Sequence, residues 1–215
     1  MIRYPPRHRL FAIGATTLAG FVDATAFIHL GGFFVSFMSG NSTRFGVGTV
    51  YAPPVALTAA GLIAAFVVGV VLGSSLRRAP LGQSRALLMA AIAALLALVA
   101  SLALGGVLMI AGPLLAVAMG AVNAVLEEDG ESRIGVTYMT GALVKMGQRI
   151  TDGLYGGPRW GWLPWLGLWA GLVGGAIAGA GAFRLLGLNA LWVAAVWAAG
   201  LALLVVERRA GEGRR

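Results

Sequence analysis

A chain of 215 residues that is 59% hydrophobic and only 11% charged, with a mean hydropathy of +0.86, is excluded from the ordinary soluble class, where roughly a quarter of residues are charged. Its net charge of +8 and isoelectric point near 11.3 would suit nucleic acid, but the basic residues flank the apolar stretches instead of forming one dense patch, the distribution that orients a chain in a bilayer. Cysteine is absent, and the two histidines, His8 and His29, lie far apart, so neither a disulfide framework nor a zinc site is expected, and no cofactor is implied.

The chain opens with Arg3, Arg7 and Arg9 ahead of an apolar run. A signal peptide has a similar start, but this run continues to about Leu30 with no small-residue cleavage site, so it reads as a retained span. A helix needs about 20 residues to cross a hydrocarbon core about 30 Å thick. Six stretches qualify, at 10–30, 54–76, 85–104, 107–126, 162–183 and 188–206. Two others, 32–50 and 134–150, are apolar but interrupted by Gly, Ser, Thr and a basic residue, and each reads as a broken or re-entrant element. The predicted fold is all-α: one polytopic membrane domain over 1–215 with six transmembrane helices.

Six crossings place Arg3/Arg7/Arg9, Arg77/Arg78/Arg85, Arg133 and Arg208/Arg209/Arg214/Arg215 on one side, leaving little beyond Arg44 and Arg184 on the other. Basic loops stay inside, so both termini are expected in the cytoplasm. Counting the two interrupted segments as full crossings would push the Arg77/Arg78/Arg85 loop outside, which favours six.

The halves echo one another. Gly20-Phe-Val-Asp23-Ala24 answers to Gly120-Ala-Val-Asn123-Ala124, and Phe37-Met38-Ser39-Gly40-Asn41 to Tyr138-Met139-Thr140-Gly141-Ala142, with Arg44 matching Lys145 and Gly46 matching Gly147. Similar motifs in the same order mark an internal repeat, about 10–104 and 107–207. Three crossings per half is an odd number, so the second half sits upside down relative to the first, the inverted type found in many secondary transporters. A central site between the two broken segments follows as an expectation.

Asp23 is the one acidic residue well inside a span. An aspartate at a helix centre costs about 2.5 to 3.5 kcal/mol on insertion scales, so it turns inward and is paired or protonated. Arg44 is a candidate partner. Asp23 reads as a proton or cation site, or as a structural hydrogen-bonding residue; its repeat mate Asn123 cannot titrate. The Ser39-Gly40-Asn41 and Thr140-Gly141-Ala142 segments combine backbone freedom with capping side chains. A half-helix starting at either, with Arg44 or Lys145 one turn on, would suit an anionic ligand; a plain kink is the alternative.

Gly61, Gly69 and Gly73, and later Gly167, Gly171, Gly175 and Gly179, allow close helix approach. Packing within the chain is favoured over a homodimer through these glycine-rich helices. Trp160, Trp162 and Trp165 suit an interfacial belt.

These residues resemble the YoaK family of bacterial membrane proteins, DUF1275, whose members look like this: Gly-x-x-Asp in the first span, Thr-Gly-Asn after it, and Asn in the fourth span followed by Tyr-Met-Thr-Gly. Gly20 and Asp23, Ser39-Gly40-Asn41, Asn123 and Tyr138-Met139-Thr140-Gly141 carry the resemblance, with Ser39 in place of the usual Thr and Ala142 where another polar residue is common. The resemblance implies a six-span protein of the bacterial inner membrane and supplies no substrate.

The function expected is a small-solute transporter or channel, proton-coupled or anion-binding, with Asp23, Ser39, Gly40, Asn41, Arg44, Asn123, Thr140, Gly141 and Lys145 as substrate-binding residues. A non-transporting accessory protein is the alternative. A membrane-embedded enzyme is weaker still, because the sequence has no nucleophile elbow, no paired carboxylates within a span and no His-rich metal cluster. Lipid and a small molecule or ion are the expected partners, and no nucleic acid.

Overall fold

Backbone that cannot be solvated must satisfy its own N–H and C=O groups, and a single apolar segment does so as an α-helix. The structure, a computed structural model, describes residues 6–79, 85–107, 109–125, 127–128, 131–132 and 139–212. Its helices are α1 (Pro6–His29), α2 (Met38–Tyr51), α3 (Pro53–Arg78), α4 (Arg85–Leu104), α5 (Ala111–Val125), α6 (Met139–Leu154), α7 (Leu163–Leu186) and α8 (Ala190–Glu212). A 3₁₀ turn, Gly187–Asn189, joins α7 to α8. Two-residue strands, Glu127–Glu128 and Glu131–Ser132, pair antiparallel in the connection after α5.

Each of the six apolar stretches holds a helix, which in the stretch 107–126 is α5, beginning at Ala111. Among the described residues, the helical stretches long and apolar enough to cross a membrane are Arg9–His29, Pro53–Arg78, Arg85–Leu104 and Leu163–Leu204, the last with 42 residues running through α7 into α8. At 15 residues α5 is apolar but shorter, about 22 Å at 1.5 Å per residue. The basic residues Arg3, Arg133, Arg214 and Arg215, and Tyr138, lie outside the described residues.

The helix ends follow from local chemistry. Pro53 and Pro54 open α3, where the first turn needs no N–H donors. Arg77 and Arg78 close it, complementing the negative end of the helix dipole. The reversal from α7 to α8 passes through Gly187 at φ +58°, which side chains with a Cβ rarely adopt.

The interrupted segments prove to be short helices of 14 and 16 residues. The Ser39-Gly40-Asn41 and Thr140-Gly141-Ala142 motifs do not break the chain; they form the first turns of α2 and α6. In the first half the irregular backbone comes earlier, at Gly31–Phe37, where Gly31 and Gly32 take φ of +65° and +97° and so end α1. The positive-φ glycines, rather than the later Gly40, decide where the helix stops. Ala52 alone separates α2 from α3, and Gly48 meets the backbone of Ala56 at that corner.

The principal pairings are α1 with α7, α3 with α5 and α4 with α8; α2 packs on α3, and α6 on α7. The core runs through Leu18 and Val22 of α1, Met89, Ile92 and Leu96 of α4, Leu115, Met119 and Val122 of α5, and Leu191 of α8. Of the 15 residues of α5, all but Pro113, Leu114 and Val117 are buried, so this helix is central.

Two crossings are made by glycine. A methyl group on Gly20 would overlap the carbonyl oxygen of Leu172; one on Gly175 or Gly179 would overlap the carbonyl oxygens of Thr17 or Phe21. Between α3 and α5, Gly120 lies against the carbonyl of Phe66, Gly69 against that of Val117, and Gly73 against the backbone of Ala121. The small-residue pattern serves packing within the chain at these positions, as small residues do where helix backbones approach closely. Gly61 faces open space.

Candidate functional site

The irregular segment Gly31–Phe37 has backbone groups that no helix satisfies, and two polar side chains supply partners. Asp23 Oδ1 accepts hydrogen bonds from the Val35 N–H at 2.7 Å and the Ser36 N–H at 2.9 Å. From the far side, the fully buried Asn41 accepts from the Phe34 N–H through Oδ1 at 3.1 Å and donates from Nδ2 to the Phe34 carbonyl at 2.6 Å. An amide suits this position because it offers donor and acceptor side by side, as a neighbouring strand would.

Arg44 is not the partner of Asp23. Its guanidinium carbon sits 4.7 Å from the centroid of the Phe33 ring, beside Gly32, a cation–π arrangement. Among the described residues no ion pair joins Arg44 to Asp23. The physical reason is that the loop backbone presents two N–H donors directly to the carboxylate, while the arginine has an aromatic face at hand.

These contacts frame a pocket of about 430 Å³. Gly20 and Ala24 of α1 and Leu172 and Ala176 of α7 form its sides, and Met139, the first residue of α6, reaches it from the second half. Phe27, Phe34 and Phe37 form an aromatic wall. The Phe27 and Phe34 centroids are 4.9 Å apart with planes tilted by 40°, and Phe34 meets Phe37 edge to face at 5.2 Å and 83°. Gly40 stands where a Cβ would come within 2.6 Å of the Phe37 ring and 2.9 Å of the Phe34 ring. Its lack of a side chain is what lets that wall pack against α2. Asp23 and Ser36 bring the polar side chains.

Of the residues singled out from sequence, Asp23 lines the pocket, and Gly40 and Asn41 support it from behind. Ser39 is exposed and Arg44 half-buried over Phe33. Asn123 is buried in α5, where its Nδ2 donates to the Met119 carbonyl at 3.0 Å. Thr140, Gly141 and Lys145 are exposed on α6. None of these six lines the pocket. The sequence reading missed the aromatic wall, although the signal was present: four of the nine phenylalanines, Phe27, Phe33, Phe34 and Phe37, crowd into the eleven positions 27–37, shortly after Asp23.

Residues 11–204 match the family described as a protein of unknown function, DUF1275. The chain is 36% identical over 181 residues to a UPF0700 transmembrane protein of Rhizobium meliloti (strain 1021), an alignment that covers 82% of this chain and 76% of that protein. No solved structure matches. The apolar helices and the match together place it: the chain is a multi-pass membrane protein and belongs to the DUF1275 family.

Proposed function

We propose that this protein carries a small solute across the bacterial cytoplasmic membrane and holds it in the Asp23 pocket. The observation that carries the reading is the pocket itself. At about 430 Å³ it falls in the 300 to 1,000 Å³ range of small-molecule sites, and it contains the one acidic side chain well inside an apolar span. Passage rather than catalysis is proposed because, among the described residues, the lining offers a single carboxylate and a single hydroxyl, with no second acid or base to move a proton.

The architecture proposed is six spans in two inverted three-helix repeats within one domain, α1, α3 and α4 answering to α5, α7 and α8. Its support is the recurrence of the same close approaches. Gly20 on Leu172 has its counterpart in Gly120 on Phe66, Gly175 on Thr17 in Gly69 on Val117, and Gly179 on Phe21 in Gly73 on Ala121. First helices are offset by 100 residues and their glycine-bearing partners by 106. In inverted repeats the solute site lies where the repeats meet, and Met139 of the second half lines a pocket otherwise built by α1, α7 and the Gly31–Phe37 segment.

The chain has no cysteine, so single cysteines can report water access without background. Ser36→Cys and Ala176→Cys are expected to react with a membrane-impermeant thiol reagent in cells or inverted vesicles, and the purified protein in proteoliposomes to support solute flux. Sealed, unreactive positions together with absent flux would overturn the reading. A second reading, in which Asp23 is purely structural and the protein an accessory subunit, draws on the two hydrogen bonds to Val35 and Ser36. Asp23→Asn separates the two: it keeps an acceptor oxygen for the loop and removes the charge, so unchanged flux in that variant favours the structural role.

A further inference from the structure

The solute class can be read from what the pocket presents, and this step rests on the reading of the pocket as a solute site. We infer that the Asp23 pocket binds a monovalent organic cation, an ammonium head with apolar substituents. The charged side chain on its wall is a carboxylate. The Val35 and Ser36 N–H bonds to Asp23 end on Oδ1 and fix the orientation of the carboxyl group on the pocket wall, with the Ser36 hydroxyl and the Phe37 backbone also beside it. The basic residues that would have suited an anion lie elsewhere: Arg44 over Phe33 and Lys145 exposed on α6.

The aromatic wall points the same way. Phe34 and Phe37 stand at 83° to each other and Phe27 continues the wall at 4.9 Å from Phe34, so a guest in that corner meets ring surface on more than one side. Ring faces attract a cation within about 6 Å of the centroid and repel an anion. Burial among apolar walls is costly for a carboxylate without a counter-charge, and a cationic head would supply one. A bare metal cation such as sodium or calcium needs several oxygen ligands, and among the described residues Asp23 and Ser36 are the side chains that bring oxygen to the lining. Leu172, Ala176 and Met139 complete a surface suited to alkyl or aryl substituents.

The test uses purified full-length protein in detergent with benzyltrimethylammonium as probe, and benzoate and benzyl alcohol as its anionic and neutral counterparts, followed by calorimetry. Saturable binding of the ammonium is expected, with the other two at least about tenfold weaker. Asp23→Asn should weaken the ammonium by about tenfold or more and Phe34→Leu by severalfold, while Ala176→Leu fills the space and abolishes binding. Monodisperse elution confirms that each variant is folded, and the last two keep the test decisive if Asp23→Asn is not. Absence of saturable ammonium binding, equal binding of benzoate or benzyl alcohol, or indifference to all three substitutions overturns the inference. Flux in proteoliposomes is scored separately. An ammonium that binds but is not carried upholds the cation site and defeats transport; flux of another solute without ammonium binding does the reverse.

Discussion

Asp23 and Asn41 stand on different helices and serve the same short piece of backbone between them. Asp23→Ala would leave two N–H groups without their acceptor, and an unsatisfied buried donor costs about 1 to 3 kcal/mol. A clear fall in the melting temperature of the detergent-solubilised protein is expected, whereas Asp23→Asn, which keeps an acceptor, should melt near the parent. Asn41→Ala should destabilise by a similar amount, since both of its bonds to Phe34 vanish; a parental melting curve for that variant would contradict the bracing role. Asp23 was legible in the sequence because a lone carboxylate inside an apolar span stands out. Its partners were not, because backbone donors 12 and 13 residues later leave no mark in the identity of Val35 or Ser36. The same gap misdirected the reading toward Arg44, whose charge suggests an ion pair while its surroundings offer Phe33.

The helices themselves were legible to within a few residues, because apolar length is the property that makes them helices in lipid. Their interruptions were less so. Ser39-Gly40-Asn41 has the composition of a break, yet Gly31 and Gly32 take the positive φ angles and the motif falls inside α2; composition names the kind of residue a break needs without saying which glycine is used. The crossings carry a sharp prediction. Gly20→Ala, Gly120→Ala or Gly175→Ala drives a methyl into a partner helix's backbone, which cannot give way as a flexible side chain would. Each should cost most of the monodisperse protein recovered after detergent extraction. Gly147→Ala on α6 meets open space and should be neutral or add up to about 1 kcal/mol through helix propensity. Equal recovery of both kinds of variant would show that the crossings tolerate separation.

For the whole molecule, the proposed repeat shows in the motifs at the start of each half and is masked in the glycine-bearing helices, because the connections differ: Ala52 alone links α2 to α3, while residues 155–162 link α6 to α7. The six crossings proposed would put both ends of the chain on one side. Cytoplasmic reporters fused to either end should both be active and periplasmic ones inactive; reporters on opposite sides would require an odd count. The glycine crossings also bear on motion. Where two backbones touch with no side chain between them, neither helix can slide or roll without collision, so α1 with α7 and α3 with α5 behave as two stiff jaws. Any give between these two pairs falls instead to contacts made by side chains, such as the Leu- and Ala-lined seam of α4 and α8.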